Sequence, residues 1–178
     1  MKELLQRLSD RFSLKEITYQ RDNLIFITVE KSNVIPFITH LKQHENFSHL
    51  VMIGAVDYIE NGTFQLTYLL HNYSLHADIG VRVHVQRENP VMESIHTIWA
   101  QARTYQREIR EMFGIDFPGS PDVDKPFLLE GWQNIPPMRK DFDTLKYSQE
   151  TYFPRSGRKH YDPQNYMKQK LYPDKEPE

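Results

Sequence analysis

The residues best placed to do chemistry lie just past the middle of the chain. Arg103, Arg107 and Glu111 follow one another at four-residue steps, and Glu108–Glu111 and Arg107–Arg110 are each three apart. On a helix they share a face of alternating sign. Glu108 and Glu111 have the spacing of a general acid and base pair. The flanking arginines, however, would hold both as carboxylates, the wrong state for an acid. The same pattern is what a solvated helix face shows. His40 and His44 sit one helical turn apart, with His49 a little beyond. That is metal-ligand spacing, but without a carboxylate pattern beside it. The cluster Arg155-Ser156-Gly157-Arg158-Lys159-His160 has the composition of a small phosphate or nucleic-acid patch, neutralised by nearby acids. The sequence carries no glycine-rich phosphate loop, no GxSxG turn and no HExxH helix.

The helix that would position the charged face reads PVMESIHTIWAQARTYQREIREMF, from Pro90 to Phe113. Ile95, Ile98, Trp99, Ala102, Tyr105, Ile109, Met112 and Phe113 recur at three- and four-residue steps and predict one buried stripe. Asn89 suits an N-cap, Pro90 a first turn, and Gly114 the left-handed residue that closes a helix.

Composition bounds the rest. A chain of 178 residues fits one domain with an appendage and can bury one sizeable core. With 22 basic against 24 acidic side chains, no whole-molecule field draws it to nucleic acid or anionic lipid. The absence of cysteine excludes disulfides, thiolate nucleophiles and cysteine-ligated metal or iron–sulfur sites within this chain, and it fits an intracellular setting. No apolar run approaches the ~18 residues of a membrane span, and the opening MKELLQRLSDRF reads as an amphipathic helix rather than a signal peptide. Membrane association is therefore expected only through partners.

Taken in order, a first helix carries Leu4, Leu5, Leu8 and Phe12 on one side. Strands follow at Leu14 to Gln20 and Leu24 to Val29 around the turn Arg21-Asp22-Asn23. A second helix runs from Asn33 to His44, with Pro36 in its first turn. From His49 the period becomes two. Leu50 to Glu60 and Thr63 to Asn72 flank Asn61-Gly62, a two-residue hairpin signal. His76 to Gln86 then alternates, with Ala77, Ile79, Val81, Val83 and Val85 inward and Asp78, Arg82 and His84 outward. The pattern predicts an α+β body over residues 1–117: a mainly antiparallel sheet covered by helices on one face.

Past Phe117 the periodicity stops. Nine of the eleven prolines lie there, yet Phe127, Leu128, Leu129, Trp132, Ile135, Met138, Phe142, Leu145, Tyr147, Tyr152, Phe153, Tyr161, Tyr166 and Tyr172 supply more apolar surface than a solvated tail carries. Residues 118–178 are expected to form a long, irregular, partner-binding C-terminal arm.

The run Gln106-Arg107-Glu108-Ile109-Arg110-Glu111-Met112-Phe113-Gly114-Ile115, with Trp99 eight residues before Arg107, resembles the ERE-xx-D-MFGI signature of the 30 kDa subunit family of respiratory complex I, the NADH:quinone oxidoreductase. The family includes sibling subunits of membrane-bound hydrogenases. Val56-Asp57-Tyr58, Phe64 to Leu70, Val81-Arg82-Val83, Arg87-Glu88-Asn89-Pro90 and Ser94-Ile95 follow the family's order. Gly119, Pro121-Asp122, Leu128-Leu129, Glu130, Trp132 and Met138-Arg139-Lys140-Asp141-Phe142 are similar to its GHPDL…LLPEDW…PLRKDY segment. Departures are Gln106 for the first glutamate, Glu111 for an aspartate, Ser120 for a histidine and Ala100 for a proline. The last predicts a continuous helix here.

The resemblance implies a subunit that is not an enzyme by itself and binds no cofactor. The iron–sulfur clusters, with either FMN, NADH and quinone or nickel–iron, would belong to other chains. Its implied partners are the large hydrogenase-like (49 kDa-type) subunit and a neighbouring iron–sulfur subunit, in a peripheral arm on the cytoplasmic side of the membrane. An equivalent subunit of a membrane-bound nickel–iron hydrogenase or formate hydrogenlyase-like complex is the alternative, and a small stand-alone enzyme using Glu108 and Glu111 is the alternative of another class. Arg107, Glu108, Glu111, Phe113 and Gly114 would form the structural lattice, locking the helix to the Gly114–Phe117 turn. Trp132, Arg139, Lys140, Asp141 and Phe142 would meet the partner.

Overall fold

A computed structural model describes residues 2–151 of the chain. The aromatic residues from Tyr152 onward and the Arg155 to His160 cluster lie outside the described residues. The chain opens as expected: α1 (Lys2–Arg11), β1 (Leu14–Arg21), β2 (Leu24–Val29) and α2 (Val34–Gln43). Val34, Phe37, Ile38 and Leu41 of α2 are fully buried. Each such side chain contributes about 1.5–3 kcal/mol of hydrophobic stabilisation.

Then come β3 (His49–Tyr58), β4 (Thr63–Asn72) and β5 (Ala77–Gln86). Sheet order is β1-β2-β5-β4-β3, antiparallel throughout except that β2 and β5 run parallel. The mixed sheet has helices over one face and its other face open. Alternation sets this directly: Phe64, Leu66, Tyr68 and Leu70 of β4 and Ile79, Val81, Val83 and Val85 of β5 are buried, while their neighbours along each strand are not, except Gly80 under the Phe26 ring. Asn61-Gly62 does not form a two-residue turn. Tyr58 pairs with Thr63, and the loop between them begins as a 3-10 turn at Ile59–Asn61 and ends at Gly62, whose φ of 63° places it in the left-handed region.

The expected helix from Pro90 is corrected: α3 spans only Ala102–Phe113. The Asp116 amide donates to the Pro90 carbonyl at 2.7 Å and the Met92 amide to the Asp116 carbonyl at 2.9 Å, forming a short parallel bridge between Val91 and Asp116. That bridge occupies the carbonyl a helix would need in its first turn. Trp99 and Gln101 turn to the β3 side, donating from their side chains to the carbonyls of Ser48 (2.8 Å) and Leu50. The break is imposed by tertiary contacts, so alanine in place of proline at position 100 does not remove it, and Asn89 is not the N-cap.

The first compact unit ends at Phe142. Residues 118–142 lack regular helix or strand but are bonded to the body. The second unit begins at Asp143 and contains α4 (Thr144–Thr151), where the Asp143 carboxylate accepts from the Lys146 amide at 2.9 Å, an N-cap geometry. In the described chain no helix is long and apolar enough to cross a membrane.

Candidate functional site

Helix α3 faces two ways. Ala102, Gln106, Ile109 and Phe113 are buried, and the opposite flank meets the returning chain. The sequence predicts a lattice of mutual ion pairs there; among the described residues no ion pair joins these side chains to one another. Arg107, Arg110 and Glu111 reach instead for the segment beyond the helix. Arg107 donates from Nε to the Lys125 carbonyl at 2.8 Å and from Nη2 to the Pro126 carbonyl, and its guanidinium lies 5.5 Å from the Phe127 ring centroid. Arg110 pairs with Asp116 and, at 2.5 Å, with Asp124.

Glu111 is the centre of this contact. Its carboxylate accepts from the amides of Phe127 (2.7 Å), Leu128 (2.7 Å) and Leu129 (3.1 Å). Burial pushes its carboxyl up, but those three amides and the Arg107 charge outweigh it, and the group is held below its ordinary value. Glu108 is exposed and shares none of these bonds. The acid and base pair is therefore not assembled. Arg107 and Glu111 tie α3 to residues 125–129, and among the described residues Arg110 is the one charged side chain of α3 that bonds within the Gly114–Phe117 turn, at Asp116.

Gly114 ends the helix with φ 78° and donates to the Arg110 carbonyl at 2.9 Å. A Cβ there would lie 3.1 Å from Pro136 Cγ, so glycine serves both the backbone angle and the close approach of the next segment. The Met138 amide donates to the Met112 carbonyl at 3.0 Å, satisfying one carbonyl of the last helical turn.

The residues expected to meet a partner make contacts within the chain. Arg139 pairs with Asp141 at 3.2 Å, and Asp141 with Arg87 at 2.9 Å. The Lys140 amide donates to Asp57 at 2.9 Å, and its ammonium pairs with Glu60 at 3.2 Å. Asp57 is only 4% exposed. Arg87 Nε stands 2.9 Å from its Oδ1 as an ion pair, while the aligned hydrogen bond runs from Nη2 to Oδ2 at 3.1 Å. The guanidiniums of Arg87 and Arg139 lie 5.4 and 5.6 Å from the Phe64 ring centroid, and Phe64 meets Phe113 edge to face. Trp132 packs against Phe142 with ring centroids 5.5 Å apart and donates to the Ile135 carbonyl.

Sequence reasoning assigned no role to Asp57, Arg87 or the bonded trio of half-buried Ser94 with buried Gln106 and Ser120. Asp57 had a usable signal: a carboxylate at an inward position of an alternating strand requires a buried partner. Gln106 is fully buried, and its Oε1 accepts from the hydroxyls of Ser94 and Ser120, each at 2.8 Å. Two of the departures from the family signature, Gln106 and Ser120, are thus in direct contact.

His40 and His44 stack with centroids 4.8 Å apart, whereas His49 stacks on Tyr73. Among the described residues no group of three or more His, Asp or Glu side chains is arranged to hold a metal ion. A depression of about 220 Å³ lies between α3 and the following segment, lined by Glu111, Val123, Lys125, Leu129 and Trp132. Its one helix carboxylate is already saturated by backbone amides.

The fold and this anchoring place the chain in a class of α+β domains that carry an ordered, proline-rich segment on a rigid helix and sheet. The chain belongs to the respiratory-chain NADH dehydrogenase 30 Kd subunit family, whose model matches residues 27–148. It is 31% identical over 175 residues to the corresponding NADH-quinone oxidoreductase subunit of Ruegeria pomeroyi, covering 92% of this chain and 84% of the relative. The fold resembles a chain of the membrane-bound sulfane sulfur reductase, an archaeal respiratory membrane complex, with TM-score 0.82 and 24% identity over 90% of this chain and 96% of that one. It also resembles a trypsin-resistant fragment of Nqo5, with TM-score 0.58 and 22% identity over 68% of this chain and 97% of the fragment.

Proposed function

We propose that this chain is a non-catalytic assembly subunit in the peripheral arm of a complex I-type NADH:quinone oxidoreductase, docking on the large 49 kDa-type subunit beside an iron–sulfur subunit. Electron transfer through FMN, iron–sulfur clusters and quinone takes place in other chains, and the subunit reaches the cytoplasmic face of the membrane only through the complex. The Ruegeria pomeroyi relative is named for an NADH-quinone oxidoreductase, which favours this branch over the hydrogenase alternative.

One observation carries the reading. The segment after α3 is tied down by its backbone while its apolar side chains face outward: Leu128, Ile135 and Met138 are 71%, 41% and 59% exposed. A segment fixed in that way has little ordering entropy left to lose on binding, which favours association. In this reading Arg139, Lys140 and Asp141 set its path, Trp132 and Phe142 form its aromatic step, and the partner-binding role extends over residues 118–178.

The test is Arg107→Ala in the complete complex. Synthesis of the chain should be unchanged, while the yield of assembled complex and its NADH:quinone activity fall several-fold together. Normal yield and activity would overturn the proposal.

A further inference from the structure

The open face of the sheet carries a second feature, on the opposite side from α3. Across it, Met52 of β3 is level with Leu69 of β4, Leu69 with Gly80 of β5, and Gly80 with Phe26 of β2. The Phe26 ring lies directly on Gly80, where a Cβ would overlap it. Met52 and Val56 are 44% and 46% exposed. One row along the same face stands Arg82, level with Thr28 of β2 and Thr67 of β4, its guanidinium 3.9 Å from the Phe26 ring centroid. Arg82 Nε is buried and has no hydrogen-bond partner, and among the described residues no carboxylate pairs with it. Asp78, on the same face, is bonded to His71 at 2.8 Å, and Glu16 lies two strands away on β1.

We infer that this face is a second docking surface, whose occupant is a segment of another chain of the assembly presenting one Asp or Glu among aliphatic side chains. A guanidinium stacked on a ring is held in plane, ready for a bidentate carboxylate. The apolar row beside it excludes water when covered, which strengthens that pair, and also supplies the contact area. Charge complementarity therefore selects an acidic partner over a basic or a neutral one.

The inference rests on the chain belonging to a multi-chain assembly, and the test separates the two. Photoreactive benzoylphenylalanine replaces Met52 in the full chain, the complex is isolated through a tag on this chain, and the adduct is mapped. The expected adduct joins another chain at a segment containing Asp or Glu. Arg82→Glu should lower its yield about tenfold, Arg82→Lys should retain most of it, and reversing the mapped carboxylate to Arg should restore it in the Arg82→Glu background. Thermal unfolding of the isolated Arg82→Glu chain checks folding. If that variant does not fold, Val56→Glu, on the same face, should lower the adduct equally. An intact complex with no adduct, an adduct to lipid or to a second copy of this chain, or a yield indifferent to these substitutions overturns the docking surface alone. Recovery of no other chain would overturn the subunit reading and this one with it.

Discussion

Glu111 fixes the backbone of Leu128 and leaves its side chain to solvent: Oε2 accepts from the Leu128 amide at 2.7 Å, while the residue is 71% exposed. One helix carboxylate thereby converts an irregular stretch into a presented edge. Glu111→Ala should release it. Losing charge-assisted bonds worth about 2 kcal/mol should speed hydrogen exchange at the amides of 127–129 roughly thirtyfold, with the sheet amides unmoved. Equal acceleration everywhere would mean that Glu111 supports the whole fold rather than this segment.

The same carboxylate gives the segment an acid limit. Its folded pKa lies below the ordinary value of 4.5 because, against burial, the amides of Leu128, Phe127 and Leu129 and the Arg107 charge favour the ionised form. The contribution is complete above pH 4.5 and is lost as pH falls through the lower, folded value. Proteolysis within residues 125–132 should therefore be slow at pH 5 to 7 and rise at lower pH, and in Glu111→Gln this acid step should be missing.

Asp57 of β3 and Arg87, just past the end of β5, join the sheet to the last residues of the first compact unit. Arg87→Ala would leave Asp57, 4% exposed, with the Lys140 amide but no countercharge. The expected loss is about 3–5 kcal/mol in urea unfolding. Asp57→Ala with Arg87→Ala should cost clearly less than the two single changes added together. Simple additivity would show that the pair does not act as a unit.

What was legible in the sequence followed from period. The alternation from Ala77 to Val85 and the α2 stripe fixed the faces of the sheet and helix, because burial on one side leaves no other register. The 90–101 segment misled for the same reason: Ile95 and Trp99 are buried at helical spacing, but a loop that packs side chains on β3 can show that spacing too. In the charged face the pattern names the residues that share a surface and is silent on what they bond to. Periodicity reports which side chains share a surface; the amides that Glu111 binds lie 16 to 18 residues ahead in a stretch without any period. Asp57–Arg87 and Gln106–Ser120 are contacts between distant segments, which local pattern does not encode.

Tyr68 is wholly buried, and its hydroxyl has no partner among the described residues. Burial, with a further push from Glu93, drives the phenol well above its ordinary value, so it stays neutral. An unsatisfied buried hydroxyl costs about 1–3 kcal/mol. Tyr68→Phe removes it without changing ring packing, and stability should rise by ~1 kcal/mol, which corresponds to about 2–4 °C in Tm for a chain of this size. A lower Tm would reveal that the hydroxyl is bonded in solution.

Gln106→Glu puts a charge where the fold supplies only hydroxyls. Ser94 and Ser120 each reach the Gln106 oxygen at 2.8 Å, and the residue is fully buried, so the new carboxyl would be pushed upward by burial, with His96 reaching it only through Ser94 Oγ at 2.8 Å. With the folded pKa raised, the variant should come nearest to wild type near pH 4, where the carboxyl is mostly protonated in both states, and weaken as pH rises toward the folded value. A difference of about 2–4 kcal/mol should open between pH 4 and pH 8. Adding Ser120→His places an imidazole in contact range, and its protonated form should recover much of that loss at pH 6, though less at pH 8 where the ring is neutral. Thermal melts of the two variants across this range decide the matter. A Gln106→Glu penalty flat with pH would show that water reaches the site and that the pairing of Gln106 with Ser120 is not what keeps this buried position neutral.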